Sequence, residues 1–399
     1  MSDEQVHGEL LTPPLSEEAA HWVARVEEIA PVLREHRERT ERDRVSPQPV
    51  FDALRDAGLH RMWVSEEFGG SRVALRTGSA VIQALARIDA SVAWQVGVQG
   101  AIGRLSDYLP EPTARKLFKD HTGLIVGGVN PSGRAERVDG GYRLTGQWGF
   151  ASGSAFADWL VCASLVTENG QVRKVDQGPE IRMLFVPRSD AVIQDTWHTL
   201  GLRGTGSNHY TVTDVFVPDE YTAGGLEITR PPQQRPSRAY AVGYYDFGPF
   251  TSASTVLGVA QDALDAFKEL AAKKTPQGAS SPLAVSHTVQ EKLARAEMQL
   301  HTAKLLLADA ADQVNTYGAS GGDRLTALVR LTAATVAENT VAAVDSLYSL
   351  AGSTSVYASS RLERCFRDIH SAVKHITLSS THFEMAGQYL LGGALQMRR

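Results

Sequence analysis

Between Leu124 and Pro218 the chain changes texture, and that change limits the folds open to it. Short segments alternate apolar and polar residues and stop at Gly, Asp or Pro. Tyr142 and Leu144 belong to one, and Trp159, Val161 and Ala163 to another. Ile181 to Val186 ends at Pro187, and Tyr210 to Val217 ends at Pro218. A period of two marks half-buried strands. Asp139-Gly-Gly141 and Glu168-Asn-Gly170 are hairpin turn signals. About 100 residues of short strands predict a small antiparallel β-barrel or sandwich.

On both sides the period is helical. Ser16 is a candidate N-cap followed by Glu17 and Glu18, and Trp22, Val23, Val26, Ile29 and Ala30 recur at helix spacing. Ser46-Pro47 opens a second helix, and 78–105 and 112–119 also read as helical. After the linker Pro231-Pro-Gln-Gln-Arg-Pro236, long amphipathic patterns cover 256–272, 285–317, 324–351 and 361–389, which predicts a four-helix bundle. The expected order is a disordered tail over 1–15, a helical domain over 16–123, a β-domain over 124–230 and the bundle over 231–399. The fold class is mainly α with a central β-domain.

Composition narrows the function. Forty Lys and Arg against 45 Asp and Glu leave a net charge of −5, which excludes the basic surface of a nucleic-acid binder. The N-terminus lacks the basic and apolar regions of a signal peptide, and no uncharged apolar run is long enough to predict a membrane span. The two cysteines, Cys162 and Cys365, form no metal or disulfide pattern, which suggests a reducing, cytoplasmic setting. No HExxH or carboxylate–histidine set appears, so no metal is expected.

Local motifs add to the domain order. These are Ser65-Glu-Glu-Phe-Gly-Gly70, Gly140-Gly-Tyr-Arg-Leu-Thr-Gly146 leading to Trp148-Gly-Phe-Ala-Ser-Gly153, Gly201-Leu-Arg-Gly-Thr-Gly-Ser207 leading to Val215-Phe-Val-Pro218, and Arg367-Asp368. In this order they resemble the acyl-CoA dehydrogenase fold over nearly the whole chain. Dehydrogenases of that fold carry a glutamate base, in one common version eight residues beyond the Arg-Asp pair. Here Ile376 stands there, and His375 precedes it. With Trp148 and Trp197 ahead of their glycine-serine segments, the chain looks like the flavin-dependent two-component monooxygenases. These include phenol, hydroxyphenylacetate and secosteroid hydroxylases, sulfur oxygenases, amino-sugar N-oxygenases and an indole hydroxylase of indolosesquiterpenoid biosynthesis.

That resemblance implies a reduced flavin (FADH2 favoured, FMNH2 the alternative), molecular oxygen as co-substrate, and a separate NAD(P)H:flavin reductase. It implies hydroxylation of a small aromatic molecule, indole- or phenol-like, through a flavin C4a-hydroperoxide. His375 is the candidate base, since imidazole titrates near neutrality. Read as one helix, 361–389 puts His370 about 140° from His375 and Ser379 on His375's face. Ser152 is the candidate partner of the flavin ring, with Ser154, Gly153, Trp148 and Trp197 around the cofactor. Arg203, Thr205 and Ser207 are candidates for its phosphates, and so are Gly352, Ser353 and Thr354, the latter across a subunit interface. Trp94, Phe247 and Phe250, with Tyr244 and Tyr245 beside them, would wall a substrate pocket in which Asp246 and Ser379 offer polar contacts. The resemblance also implies a homotetramer, and 324–351 carries apolar residues over more faces than one core needs. An acyl-CoA dehydrogenase with its base elsewhere, an amino-sugar N-oxygenase and a scaffold without cofactor remain open readings.

Overall fold

The computed structural model describes residues 10, 14–120, 123–175, 178–235 and 241–395. Most of the expected 1–15 tail, and Pro236 of the linker, lie outside them. Ser16 accepts from the Ala19 N–H and starts α1 (Glu17–Asp43), with two glutamates in its first turn. Then follow α2 (Gln48–Asp56), α3 (Leu75–Ala86), α4 (Ala90–Gly103) and the short α5 (Glu111–Ala114). The stretch 78–105, expected as one helix, is two. Asp89 breaks it by accepting from the N–H groups of Ser91 and Val92 as the N-cap of α4. α4 is buried on nearly every side and forms the centre of this region.

The β-region holds β1 (Leu124–Val138), β2 (Gly141–Ala151), β3 (Ala157–Glu168), the short β4 (Gln171–Val172), β5 (Lys174–Val175) and β6 (Gly178–Pro179), then β7 (Ile181–Pro187), β8 (Val192–Gln194), β9 (Asn208–Pro218) and β10 (Thr222–Gly224). The main sheet runs β10-β7-β3-β1-β2-β9-β8, with β4 paired to β3. Both hairpin signals sit at turns: β1 meets β2 across Asp139 and Gly140, and β3 meets β4 across Asn169 and Gly170, whose φ values are 50° and 75°. The expected all-antiparallel barrel needs correction. β1 and β3 run parallel, and the hydrogen-bonded path ends at β10 and β8 without closing among the described residues. β1 pairs with β2 by a hairpin and is flanked on its other side by β3, which the chain reaches only after β2.

The C-terminal helices are α6 (Tyr244–Lys273), α7 (His287–Tyr317), α8 (Gly322–Ala351), α9 (Arg361–Ala372) and α10 (Thr381–Leu390). α6 starts 12 residues before the apolar period signalled it and carries Pro249 inside the helix, where the Tyr245 carbonyl that loses its helical partner accepts from Arg330 instead. The expected fourth helix over 361–389 is two helices joined by a turn at 376–378. α8 packs against α6, α7, α9 and α10. An apolar stretch within His287–Val356 reaches a mean hydropathy of 1.2, enough for a membrane span by length and composition, yet 61% of it is buried inside the chain. Its apolarity serves the bundle core.

Candidate active site

The turn between α9 and α10 carries His375, whose ring packs edge-on against Trp94 of α4 with centroids 5.3 Å apart. Nδ1 of His375 lies 2.7 Å from Thr377 Oγ1, which donates to Ser252 Oγ of α6 at 2.8 Å. Two close approaches draw the same elements together. A Cβ on Gly97 of α4 would meet Thr251 at 3.2 Å, and one on Gly248 of α6 would meet Thr377 at 3.3 Å. By surface area His375 is exposed, with one side of its ring packed on Trp94 and the other open. Crowding by the surrounding protein lowers its pKa, to about 4. The open face moderates the depression, and its direction leaves the ring neutral at physiological pH. Nε2 has no hydrogen-bond partner among the described residues.

α4 links this cluster to the β-region. Gln95, next to Trp94, donates to Ser46 Oγ and to the Gly204 carbonyl. The loop around Gly204 is clamped to α9. The Leu202 N–H donates to Asp368 Oδ1 at 2.7 Å, the Gly201 N–H donates to Ser371 Oγ at 3.0 Å, and Arg367 donates to the Leu200 carbonyl. A Cβ on Gly201 would lie 2.2 Å from the Arg367 carbonyl oxygen, so only glycine permits this approach. The Arg-Asp pair thus fastens the loop to the helix that leads to His375. Burial pushes the Asp368 carboxyl up to about 7, with Glu41 and Asp89 adding to the effect.

The hydroxyls expected around a flavin are brought together but turned inward. Ser152 Oγ lies 2.7 Å from Ser207 Oγ, which lies 2.7 Å from Thr205 Oγ1, and Thr205 donates to the Leu202 carbonyl. Ser154 donates to the Gly206 carbonyl, and the Gly153 N–H donates to the Thr205 carbonyl. All four side chains are buried. They brace the 152–154 turn against the 202–207 loop and present no free oxygen outward. Arg203 donates to the Glu41 and Thr199 carbonyls, which ties it to the end of α1.

Other expectations are corrected by burial. Trp148 stacks on Tyr210 inside the sheet and donates to the Ala163 carbonyl. Its ring fills a slot that Gly133 opens, where a Cβ would lie 2.1 Å from it. It offers no face to a ligand. Phe247 and Phe250 share the inward face of α6 and are 0% and 2% exposed. Burying each stabilises the fold by about 1.5–3 kcal/mol, so the helix phase turns them to the core. Asp246 accepts from Arg330 at 2.9 and 3.1 Å and from Thr326 at 2.8 Å, and has no free oxygen for a substrate. Ser379 pairs with Thr381 at the start of α10, away from His375, because the helix that would have aligned them is broken.

Two residues escaped the sequence reading. Phe150 is 69% exposed with φ +65°, an uncommon conformation for a bulky residue. Its ring packs edge-on against half-buried Trp197 at 6.0 Å. Trp197 is held by its own bond to the Leu202 carbonyl and by Arg44, which grips Asp195 and the Trp197 carbonyl. Lys274 donates to Thr354 Oγ1 at 2.7 Å and to the Ala351 carbonyl, placing a cation beside exposed Gly352 and Ser353 at the bundle's end. No contact joins that end to the Ser152 turn within one chain among the described residues. An outward aromatic pair and a cation with a hydroxyl are a donor set that fits a flavin ring and a phosphate.

Comparison with known proteins agrees with this arrangement. The acyl-CoA dehydrogenase N-terminal domain matches residues 15–109, and the acyl-CoA dehydrogenase C-terminal domain matches 250–380. A pigment production hydroxylase of Rhodococcus sp. is 30% identical over 92% of this chain and 95% of its own length. The oxygenase component of an FADH(2)-dependent resorcinol hydroxylase from Rhizobium sp. is 30% identical over 93% of this chain and 94% of its own. Among solved structures, XiaF from Streptomyces sp. in complex with FADH2 and glycerol superimposes with a TM-score of 0.89 at 25% identity, covering 96% of this chain and 98% of that one. The chain therefore belongs to the flavin-dependent monooxygenases of acyl-CoA dehydrogenase fold, as an oxygenase component.

Proposed function

We propose that the protein hydroxylates an aromatic small molecule, indole- or phenol-like, in the cytoplasm, with reduced flavin from a separate NAD(P)H:flavin reductase. The observation that carries this reading is the edge-on packing of the His375 imidazole against Trp94, with Nδ1 engaged by Thr377 and the far side of the ring open. When bound, the reduced flavin supplies the two electrons that let one atom of oxygen enter the substrate and the other leave as water. His375 Nε2 takes the proton of the substrate O–H or N–H, and the Trp94 edge orients the substrate ring. Phe150 and Trp197 would flank the flavin ring. Lys274 and Thr354 would hold a phosphate of the cofactor, an arrangement that suits FAD and places the bundle end of a second copy beside the first. The resorcinol hydroxylase of Rhizobium sp. takes, by its name, a phenol-type ring. A dehydrogenase base is missing at Ile376, and Glu384 lies beyond the break on α10.

A steady-state assay with a flavin reductase and a panel of phenols and indoles tests the proposal. The wild type is expected to form hydroxylated product, and His375→Ala to lose about 10²–10⁴-fold in product formation while still consuming reduced flavin. Full hydroxylation by the variant would remove His375 from the chemistry.

A further inference from the structure

We propose that Thr377 and Ser252 are positioning residues that hold a proton on Nδ1 of His375 and leave its Nε2 lone pair free on the open side of the ring. This rests on the role given to His375 above and deepens it, because an imidazole serves as a base only at the nitrogen that carries no proton. Thr377 has one hydroxyl proton, and it points to Ser252 Oγ at 2.8 Å. On its other side the Thr377 oxygen can only accept, so the 2.7 Å contact with His375 needs a proton on Nδ1. The Thr377 backbone N–H also points at Nδ1, but from 3.4 Å, beyond the range of about 3.2 Å for a normal N–H bond. The shorter contact decides the tautomer.

The surroundings leave the task to these hydroxyls. Trp94 on α4, and Gly248 and Ser252 on α6, are uncharged. The buried Asp246–Arg330 pair joins α6 and α8, with further bonds to Thr326 and the Tyr245 carbonyl. Burial alone accounts for the shift of the His375 ring, with no charge from Lys374 or any neighbouring helix acting on it. Because α6 is rigid and packed on α4 and α8, Ser252 also fixes the orientation of the turn that carries the ring.

The test is Thr377→Val, with Thr377→Ser as the conservative rescue and Ser252→Ala as a second variant, each assayed for product formation over pH. Removing an acceptor from Nδ1–H destabilises the imidazolium. The acid limb of kcat/KM is therefore expected to move to lower pH in Thr377→Val, with a plateau roughly 10- to 100-fold lower. Ser252→Ala should show a smaller shift in the same direction, and Thr377→Ser should restore both features. A limb that moves to higher pH would mean that Thr377 donates to Nδ1, and the proposal is overturned. A lower plateau with an unmoved limb would also overturn it, by reducing Thr377 to a packing role. The 15N spectrum of histidine-labelled wild type, assigned by the signals missing in His375→Ala, gives a check that needs no folded Thr377 variant. It should show a protonated Nδ1 and a bare Nε2, and the reverse pattern would refute the assignment. If His375→Ala hydroxylates normally, the underlying reading fails instead, whatever Thr377 does.

Discussion

Phe150 illustrates how a single residue can carry more than packing. Its ring stands largely in solvent on a left-handed backbone, so it burdens the isolated chain with strain of about 1–3 kcal/mol. Phe150→Gly is expected to raise stability by about 1 kcal/mol, because glycine adopts this φ freely and little buried surface is lost. The same variant is expected to weaken binding of reduced flavin. Denaturant melts and an anaerobic titration check both, and unchanged flavin affinity would separate the strain from the cofactor. Residue roles were only partly legible in the sequence. The motifs picked out Ser152 for the flavin ring and Thr205 and Ser207 for its phosphates, and these three hydroxyls meet one another instead. Whether an oxygen points in or out depends on side-chain rotation, which spacing does not encode. Phe247 and Phe250 read equally well as a pocket wall or as core, and the phase of α6 decides for core. That phase was hidden because Pro249 masks the start of the helix.

At the scale of elements, the site depends on how the 197–207 loop is fastened to α9. Asp368 does this from a buried position that pushes its carboxyl up to about 7, against about 4 in an unfolded chain. Between those values the folded state holds an extra proton. The contribution of Asp368 is therefore fully present below about pH 4 and is lost as pH rises toward 7. Asp368→Asn keeps an oxygen for the Leu202 N–H and removes the ionisation. Its stability relative to wild type should rise steadily between about pH 4 and 7. Thermal melts at several pH values measure that difference, and a flat difference would show that Asp368 does not titrate there. The break between α9 and α10 is the element the sequence concealed most effectively. The apolar period runs on through 361–389, while His375 stands in extended backbone at the head of a separate short turn over 376–378. That break brings His375 against Trp94 and sends Ser379 elsewhere.

For the whole molecule, the order of helices, sheet and helices was plain from the switch of period near Leu124 and the return after Pro231. The parallel pairing of β1 with β3 was not, because strand spacing is silent on which strands become neighbours. The many apolar faces of α8, which suggested subunit contacts, are used inside the chain by α6, α7, α9 and α10. The case for assembly moves to residues left exposed elsewhere, such as Met298 and Leu305 on α7 and Val356 and Tyr357 beside the Lys274 end. Light scattering is expected to report four chain masses, and Lys274→Ala should leave that mass intact while weakening flavin binding. A monomer would detach the Lys274 end from any flavin held at Phe150.

The central claim is that this chain places oxygen on an aromatic ring with His375 as its base. The most direct measurement is mass spectrometry of products formed from a panel of indoles and phenols under 18O2, with reduced flavin supplied. The wild type should place one 18O atom in a ring-hydroxylated product, and that product should nearly disappear with His375→Ala. Unlabelled substrates throughout the panel, or labelled product at the wild-type rate from His375→Ala, would contradict it.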